Sequence, residues 1–426
     1  MHSPDLVPGQ PADLFAGDAE LLAGDPGVSV PVAASVRVWF DWHVGLRVEA
    51  VADDVPDRML FDDGPVAVRL QAGRFDVPGF SSRGRLGEGR VALSGALSRA
   101  LVGDETALLD RVEFGLANMP TVSLFDDALD VESNGWSVRI VKVDDYDDRV
   151  AEVRASGGGA VTHRAVLRRT DDEAFVWADA SEVLDALRWV ATFVTGTRVP
   201  VMFPVGIVGE AQVRVQEWGN VRRSRFGGVL SWCGDFQRPN AVRALFPMVL
   251  DAWRKTARRR NLTVALEFWL DAQLGAVIET RLVSAVAGLE LMAWEWLVDV
   301  DGRDPYVVDH RKSTDQRFRS MLELIGVPVE VPTHMTDVAA TWPGQDGPKT
   351  VADLRHRVVH PKGLDALFDV PHGGRHDALR LATWYLELSL LRRLGYEGRY
   401  IAQVAPLPIF AGTGEPVPWA SDSAGK

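Results

Sequence analysis

"FQRPNAVRALFPMVLDAWRKTARRR", residues 236 to 260, is where the chain changes its period. Upstream of it, apolar residues tend to recur at every second position. Downstream they recur at steps of three and four. Alternation of two sends side chains to opposite faces of a strand, whereas a 3.6-residue period lines one face of a helix. The stretch therefore divides a β-rich part from an all-helical part, and an α+β protein is expected.

The upstream strands are read from "VSVPVAASVRVWFDW" (28–42), "GPVAVRLQAG" (64–73), "GWSVRIVKVDD" (135–145), "RVAEVRASGGGAVTHRAVLRR" (149–169) and "AFVWAD" (174–179). "RVPVMFPVGIV" (198–208) and "AQVRVQEWG" (211–219) continue the pattern. Turn chemistry separates them at Asp62-Asp63-Gly64-Pro65, Asn134-Gly135 and the run Gly157-Gly158-Gly159. That glycine run lacks the Gly-Lys-Ser/Thr ending of a phosphate loop, so a hairpin turn is expected there. One helix interrupts the strands at about 182–195. Asp179 and Glu182 have capping-box spacing, Gly196 marks the stop, and the stripe Val183, Leu184, Leu187, Val190, Ala191, Val194 predicts packing on the sheet. The Gly/Arg loop "RRSRFGG" (222–228) reads as a solvated turn.

Beyond the divide, helices are expected over 241–260, 262–274, 276–299, 315–325, 351–360 and 376–394. In the third, Ile278, Leu282, Ala285, Leu289, Met292 and Trp296 define a buried face. Thr350 and Asp353 are placed to open the fifth, and Gly326 and Gly395 to close the fourth and sixth. The expected domains are a flexible segment at 1–27, a β-rich sensor or binding domain at 28–240, a helical domain at 241–405 and a tail at 406–426.

Composition narrows the function. A single cysteine, Cys233, excludes an internal disulfide scaffold and fits a reducing compartment. The formal net charge of −13 argues against a general nucleic-acid coat protein. Residues 251–400 carry nearly equal numbers of Lys/Arg and Asp/Glu, so the excess acid lies outside them. The N-terminus lacks the basic start and apolar run of a signal peptide, and "LVSAVAGLELMAWEWLV" (282–298) is broken by Glu290 and Glu295. A cytoplasmic protein without a membrane partner is expected.

The chemistry concentrates in "VADLRHRVVHPKG", residues 351 to 363. Arg355 and His360 lie five apart, about 140° round an ideal helix. Pro361 disfavours helical geometry at His360, which frees that imidazole to swing towards Arg355. An arginine stabilises charge on phosphate oxygens, and an imidazole titrating near neutrality moves protons. Cations at a helix end are also common for a duller reason, their attraction to the last carbonyls.

The stretch "RHRVVH" resembles the Arg-polar-x3-His motif of HEPN domains, small helical bundles found in bacterial ribonuclease toxins and defence proteins. The similarity continues through "IETRLVSAVAGLELMAWEWL" before it and "ALRLATWYLELSLLRRLGYEGRY" after it, covering about 245–400. ApeA-type abortive-infection proteins have a comparable β-rich region ahead of such a bundle; upstream the likeness is architectural only. The resemblance implies a metal-independent endoribonuclease with no cofactor. Arg355 would match the family's arginine, His356 its polar residue and His360 its histidine, with Arg357 adding a second positive charge. The family also implies an acidic residue on an earlier helix. Glu279 and Glu290, eleven apart on one helix face, are the candidates to orient Arg355. The implied partners are an RNA substrate, a second copy of the chain in a homodimer or higher oligomer, and a phage-derived or nucleotide trigger at the β-rich domain.

Other readings compete. A non-catalytic HEPN scaffold would dimerise through the bundle and bind a ligand or partner through the β-rich domain. The pairs His356/His360 and His372/His376 have zinc-compatible spacing, but no cysteine or carboxylate completes a familiar signature, and "HGGRH" (372–376) reads as a loop. "DVDGRDPYVVDHRK" (299–312) lacks the acidic steps of a calcium loop. The basic run Arg254, Lys255, Arg258, Arg259, Arg260, with Lys362, is a candidate grip on RNA backbone. Trp294, Trp296 and Trp384 are expected in the core.

Overall fold

A computed structural model of the chain describes residues 12–22, 29–40, 44–53, 66–70, 73–77, 80–85, 90–97, 99–121, 128–219, 226, 231–360, 364–405 and 414–420. Its elements are those of an α+β protein, β-rich first and helical afterwards. The chain forms two units. One comprises Met1–Thr121, Phe125–Arg188 and Arg198–Gly227; the other comprises Val122–Leu124, Trp189–Thr197 and Gly228–Lys426.

The first unit holds strands β1 (Ala12–Leu22), β2 (Ser29–Phe40), β3 (Val44–Asp53), β4 (Val66–Leu70), β5 (Gly73–Val77), β6 (Phe80–Arg85), β7 (Arg90–Leu97) and β8 (Arg99–Gly103). It continues with β9 (Arg111–Ala117), β10 (Ala128–Ser133), β11 (Trp136–Lys142), helix α1 (Tyr146–Ser156), β12 (Val161–Arg169), the first part, up to Arg188, of helix α2 (Trp177–Thr195), β13 (Val201–Val208) and β14 (Gln212–Gly219). The strands form one sheet in the order β10-β11-β12-β9-β13-β14-β8-β5-β4-β1-β2-β3-β7-β6, and neighbours pair antiparallel. Asn134 and Gly135, both at positive φ, close the β10–β11 hairpin between Ser133 and Trp136. Positive φ at both central residues is what a two-residue turn of matching twist demands. Val112, Phe114, Leu116, Val138, Ile140, Ala165 and Leu167 are buried on β9, β11 and β12.

Several expectations need correction. Residues 12–22, expected within a flexible lead-in, form β1, whose backbone pairs with both β2 and β4. Those ladders satisfy the peptide groups despite the Gly/Pro breaks around the strand. "RVAEVRAS" is the body of α1, not a strand: Val150 and Val153 are buried at a helical step of three. Gly157 caps α1 in the left-handed conformation, its N–H bonding the carbonyl of Val153, so the glycine run ends a helix and is not a hairpin turn. "AFVWAD" supplies only a single bridge, Leu109 to Phe175, before α2 begins at Trp177. From Trp189 onward α2 belongs to the second unit, where Phe193 packs on Trp232 and Trp269.

The second unit contains α3 (Arg238–Trp253), α4 (Thr256–Leu274), α5 (Ile278–Trp294) with a π-helical turn (Glu295–Val300), α6 (Pro305–His310), α7 (Thr314–Ile325), α8 (Thr336–Thr341), α9 (Gly347–Val359), α10 (Leu364–Phe368) and α11 (His372–Leu394). Leu282, Ala285, Leu289 and Met292 of α5 are fully buried, as the 3.6 period requires, while Ile278 and Trp296 at the ends of the expected stripe are half-buried. Each buried Leu or Met contributes roughly 2 kcal/mol of transfer free energy. The ion pairs Glu279–Arg375 and Glu295–Arg393 join α5 to α11 start to start and end to end, so the two helices run parallel. Gly288 lets them approach: a β-carbon there would stand 2.7 Å from Leu386 Cδ2.

Here too the boundaries shift. Residues 241–260 are not one helix; the chain breaks at Arg254 and Lys255, and α4 starts at Thr256. "HGGRH" is the first turn of α11, not a loop. Helix α9 opens at Gly347, three residues before Thr350, because the Asp346 carboxylate accepts the Lys349 N–H and Pro348 suits a first turn. The expected tail is partly docked: β16 (Glu415–Pro416) pairs with β15 (Arg399–Tyr400), and Trp419 Nε1 donates to the carbonyl of Tyr396 at 2.7 Å. Among the described residues, no helix is long and apolar enough to cross a membrane.

Candidate functional site

Helix α9 presents the motif. Val351 and Leu354 are buried and anchor its inner face. Arg355 therefore falls at the flank and His356 on the outer side, about 100° further round. At His360 the backbone turns extended, φ −109° and ψ 126°, the geometry that a following proline imposes. Its N–H still bonds the carbonyl of His356 at 3.2 Å, so the residue stays tethered to the last turn. The two imidazoles face each other with centroids 4.2 Å apart, both on exposed residues. Arg355 turns to α5, where its Nη2 lies 3.9 Å from Glu290 Oε1. Both side chains retain about a third of their exposure, 33% and 32%. Among the described contacts, Arg355 thus pairs with Glu290 and His360 with His356; none joins Arg355 to His360.

The supporting candidates separate. Glu290 meets Arg355, whereas Glu279 bonds Arg375 at 2.7 Å. Eleven residues return to the same helix face but about 16 Å further along the axis, so one crossing helix reaches only one of the two. Arg357 is used structurally: its Nη1 donates to the Ala366 carbonyl at 3.1 Å and its guanidinium lies over the Trp342 ring. The basic run is no continuous stripe. Lys255 pairs with Asp251, and Arg258 is half-buried and donates to the Arg393 carbonyl at 2.7 Å. Burial lowers the Arg258 pKa from its usual value, with the neighbouring Arg393 charge adding to the effect. Arg254 and Arg260 are exposed and Arg259 is half-buried. Lys362 lies outside the described residues.

His372 and His376 share one face of the first turns of α11. Among the described residues, no three His, Cys, Asp or Glu side chains gather into a group that could hold a metal ion.

Two residues escaped the reading of the sequence. Trp294, assigned to the core by its spacing, is 36% exposed one turn beyond Glu290. Glu387 is fully buried on α11, its Oε1 accepting from Trp269 Nε1 at 3.0 Å, Gln273 Nε2 at 2.9 Å and Gln403 Nε2 at 3.2 Å. Desolvation pushes its carboxyl up to about 8 against those hydrogen bonds, so it holds its proton at neutral pH. A lone acid inside "TWYLELSLL" was the available signal.

Two stretches of the chain match family models. Residues 104–229 match the YopA central domain and residues 255–412 the YopA C-terminal domain. Over 346 residues the chain is 26% identical to the SPbeta prophage-derived uncharacterized protein YopA of Bacillus subtilis (strain 168), spanning 77% of this chain and 76% of that one. No solved structure matches.

Proposed function

We propose that the protein is a metal-independent endoribonuclease of the HEPN type that acts in anti-phage defence by abortive infection. One observation carries this reading: α9 holds Arg355 half-exposed beside an acidic partner, while His360 leaves the helix and rests on His356. In the reaction, the substrate's 2′-oxygen attacks the adjacent phosphorus and the bond to the 5′-oxygen breaks. The products are a 2′,3′-cyclic phosphate and a 5′-hydroxyl. His360 moves the proton, Arg355 stabilises the pentavalent phosphorane, and His356 positions His360 or the phosphate. Glu290 orients Arg355. A single short helix lines only part of a pocket, so the working unit is a homodimer or higher oligomer in the cytoplasm.

The β-rich unit restrains the bundle until a phage-derived or nucleotide trigger binds. The similarity to a prophage-derived protein fits a role in conflict involving phages. The second reading, a non-catalytic scaffold, has one observation in its favour, that Arg355 faces Glu290 and not His360. Induced expression of the wild type and of His360→Ala, with growth and total RNA followed, tests the choice. Toxicity and RNA fragmentation that vanish together in the variant are expected. If the wild type is silent, the comparison is repeated under phage challenge; protection that survives His360→Ala selects the scaffold.

A further inference from the structure

A partly exposed tryptophan on α5 and a partly exposed valine on α9 each follow, four residues on, a member of the Arg355–Glu290 pair. Trp294 lies four residues after Glu290, and Val359 four residues after Arg355. On a helix that spacing puts a side chain on the same face, about 6 Å further along. Each member of the ion pair is thus followed, one turn on, by an exposed large apolar residue: Trp294 keeps 36% of its surface and Val359 38%. The other face of α5 is fully committed to the core through Leu282, Ala285, Leu289 and Met292. Trp294 is the last residue before the π-helical turn, in which Glu295 is drawn inward to Arg393. The turn inward begins immediately after it, and the indole stays outside.

We infer that Trp294 is the shelf on which an unpaired nucleobase stacks when the neighbouring phosphate sits at Arg355. This rests on the ribonuclease reading of the same site and adds to it the form of the substrate. Trp294 stands one helical turn, about 6 Å, beyond the residue whose carboxylate holds the Arg355 guanidinium, a separation on the order of that between a base and its phosphate. The chemistry suits a nucleotide as well: the cation at Arg355 takes the phosphate, and an indole takes the π-face that every base offers. In a duplex each base is already stacked between its neighbours, so the shelf selects single strands, loops or bulges. It reads no sequence, since stacking tolerates any base.

The test uses the full-length protein and a labelled single-stranded 2′-O-methyl oligonucleotide, which lacks the attacking hydroxyl and cannot be cut by the proposed route. Binding is followed by fluorescence anisotropy for the wild type, Trp294→Ala and Trp294→Phe, with a duplex of equal length as competitor. Cleavage of the matching ribo-oligonucleotide is measured in parallel. Stacking predicts that Trp294→Ala weakens binding roughly tenfold or more, that Trp294→Phe keeps most of it, and that the duplex competes poorly. Unchanged binding by Trp294→Ala, equal competition by the duplex, or no binding by the wild type overturns the shelf. Binding without cleavage by the wild type leaves the shelf standing and returns the question of catalysis to the phage-challenge comparison of the wild type with His360→Ala. If both variants lose binding and also sediment as a smaller species, the indole is a contact between copies and the shelf is again overturned.

Discussion

Glu290 Oε1 stands 3.9 Å from Arg355 Nη2, while Glu279, on the same face of the same helix, bonds Arg375 at 2.7 Å. The two carboxylates therefore have separate tasks. On the proposed ribonuclease reading Glu290 would orient the Arg355 guanidinium; Glu279 fastens the start of α5 to the start of α11. Glu290→Gln is expected to lower RNA cleavage about tenfold or more, since small misplacements of a catalytic group are costly, with little change in melting temperature. Glu279→Gln should leave cleavage alone and cost at most about 1 kcal/mol, the usual worth of a partly exposed ion pair. Cleavage rates and urea unfolding of the two variants decide it. A rate loss confined to Glu279→Gln would reverse the assignment.

That choice was beyond the sequence for a physical reason. Eleven residues place two side chains on one face, and only the point where α9 crosses α5 tells them apart. Local rules did better. The period of α5 marked its buried face, and Pro361 foretold that His360 would leave its helix. They failed where two patterns overlapped. In "RVAEVRAS", Val150 and Val153 fit a helix while the neighbouring alternation imitates a strand. "HGGRH" carries two glycines in a first helical turn, where tertiary packing overrides propensity: Gly374 is buried close to Thr341. Trp294 was counted with the core tryptophans, although it lies four residues after Glu290 and so on the face of α5 that the buried stripe leaves outside.

On the proposed ribonuclease reading the motif residues have separate roles. His360→Ala is expected to lower cleavage by about 10²–10⁴, the range of a lost acid–base group. Arg355→Lys keeps the charge but loses the planar fork that grips two phosphate oxygens, so it should also impair cleavage while retaining much of the RNA binding. His356→Ala should fall between wild type and His360→Ala. Rates under single-turnover conditions separate these outcomes. Wild-type cleavage by Arg355→Lys and by His360→Ala would move the chemistry elsewhere.

Gly288 offers a test of the bundle in which the sign is informative. In an open helix Gly→Ala stabilises by about 1 kcal/mol. Here the new methyl would meet Leu386 Cδ2 at 2.7 Å, Leu386 Cδ1 at 3.1 Å and Phe268 Cβ at 3.2 Å. Overpacking costs roughly 1–3 kcal/mol, which outweighs the gain in propensity. Gly288→Ala is therefore expected to lower the urea midpoint. A raised midpoint would mean that α5 and α11 are less closely packed than described.

Two buried groups give the protein opposing responses to pH. His163, on β12, is buried beside Tyr146 with its Nδ1 hydrogen-bonded to Thr162 Oγ1 at 3.1 Å. Burial, helped by the Lys142 charge, holds its imidazole down at about 3. As pH falls below about 6.5 the unfolded chain gains a proton that the folded chain refuses, so stability is lost between about 6.5 and about 3. Glu387 behaves in the opposite sense. Below about 4.5 both states are protonated; between about 4.5 and about 8 the unfolded carboxyl ionises while the folded one keeps its proton. Its contribution therefore falls as pH rises and levels off above about 8. The limiting slope for either group is about 1.4 kcal/mol per pH unit. Glu387→Gln preserves an oxygen to accept from Trp269, Gln273 and Gln403 and replaces a neutral acid by a neutral amide. It should remove the alkaline loss: the stability of the variant relative to wild type rises from pH 5 to pH 8. Glu387→Ala, which leaves the buried Trp269 and Gln273 and the half-buried Gln403 without their acceptor, should destabilise at every pH by several kcal/mol. Urea unfolding of the three proteins at pH 5, 6, 7 and 8 separates the effects. A constant difference between Glu387→Gln and wild type across that range would mean that the buried carboxyl is ionised in the folded protein.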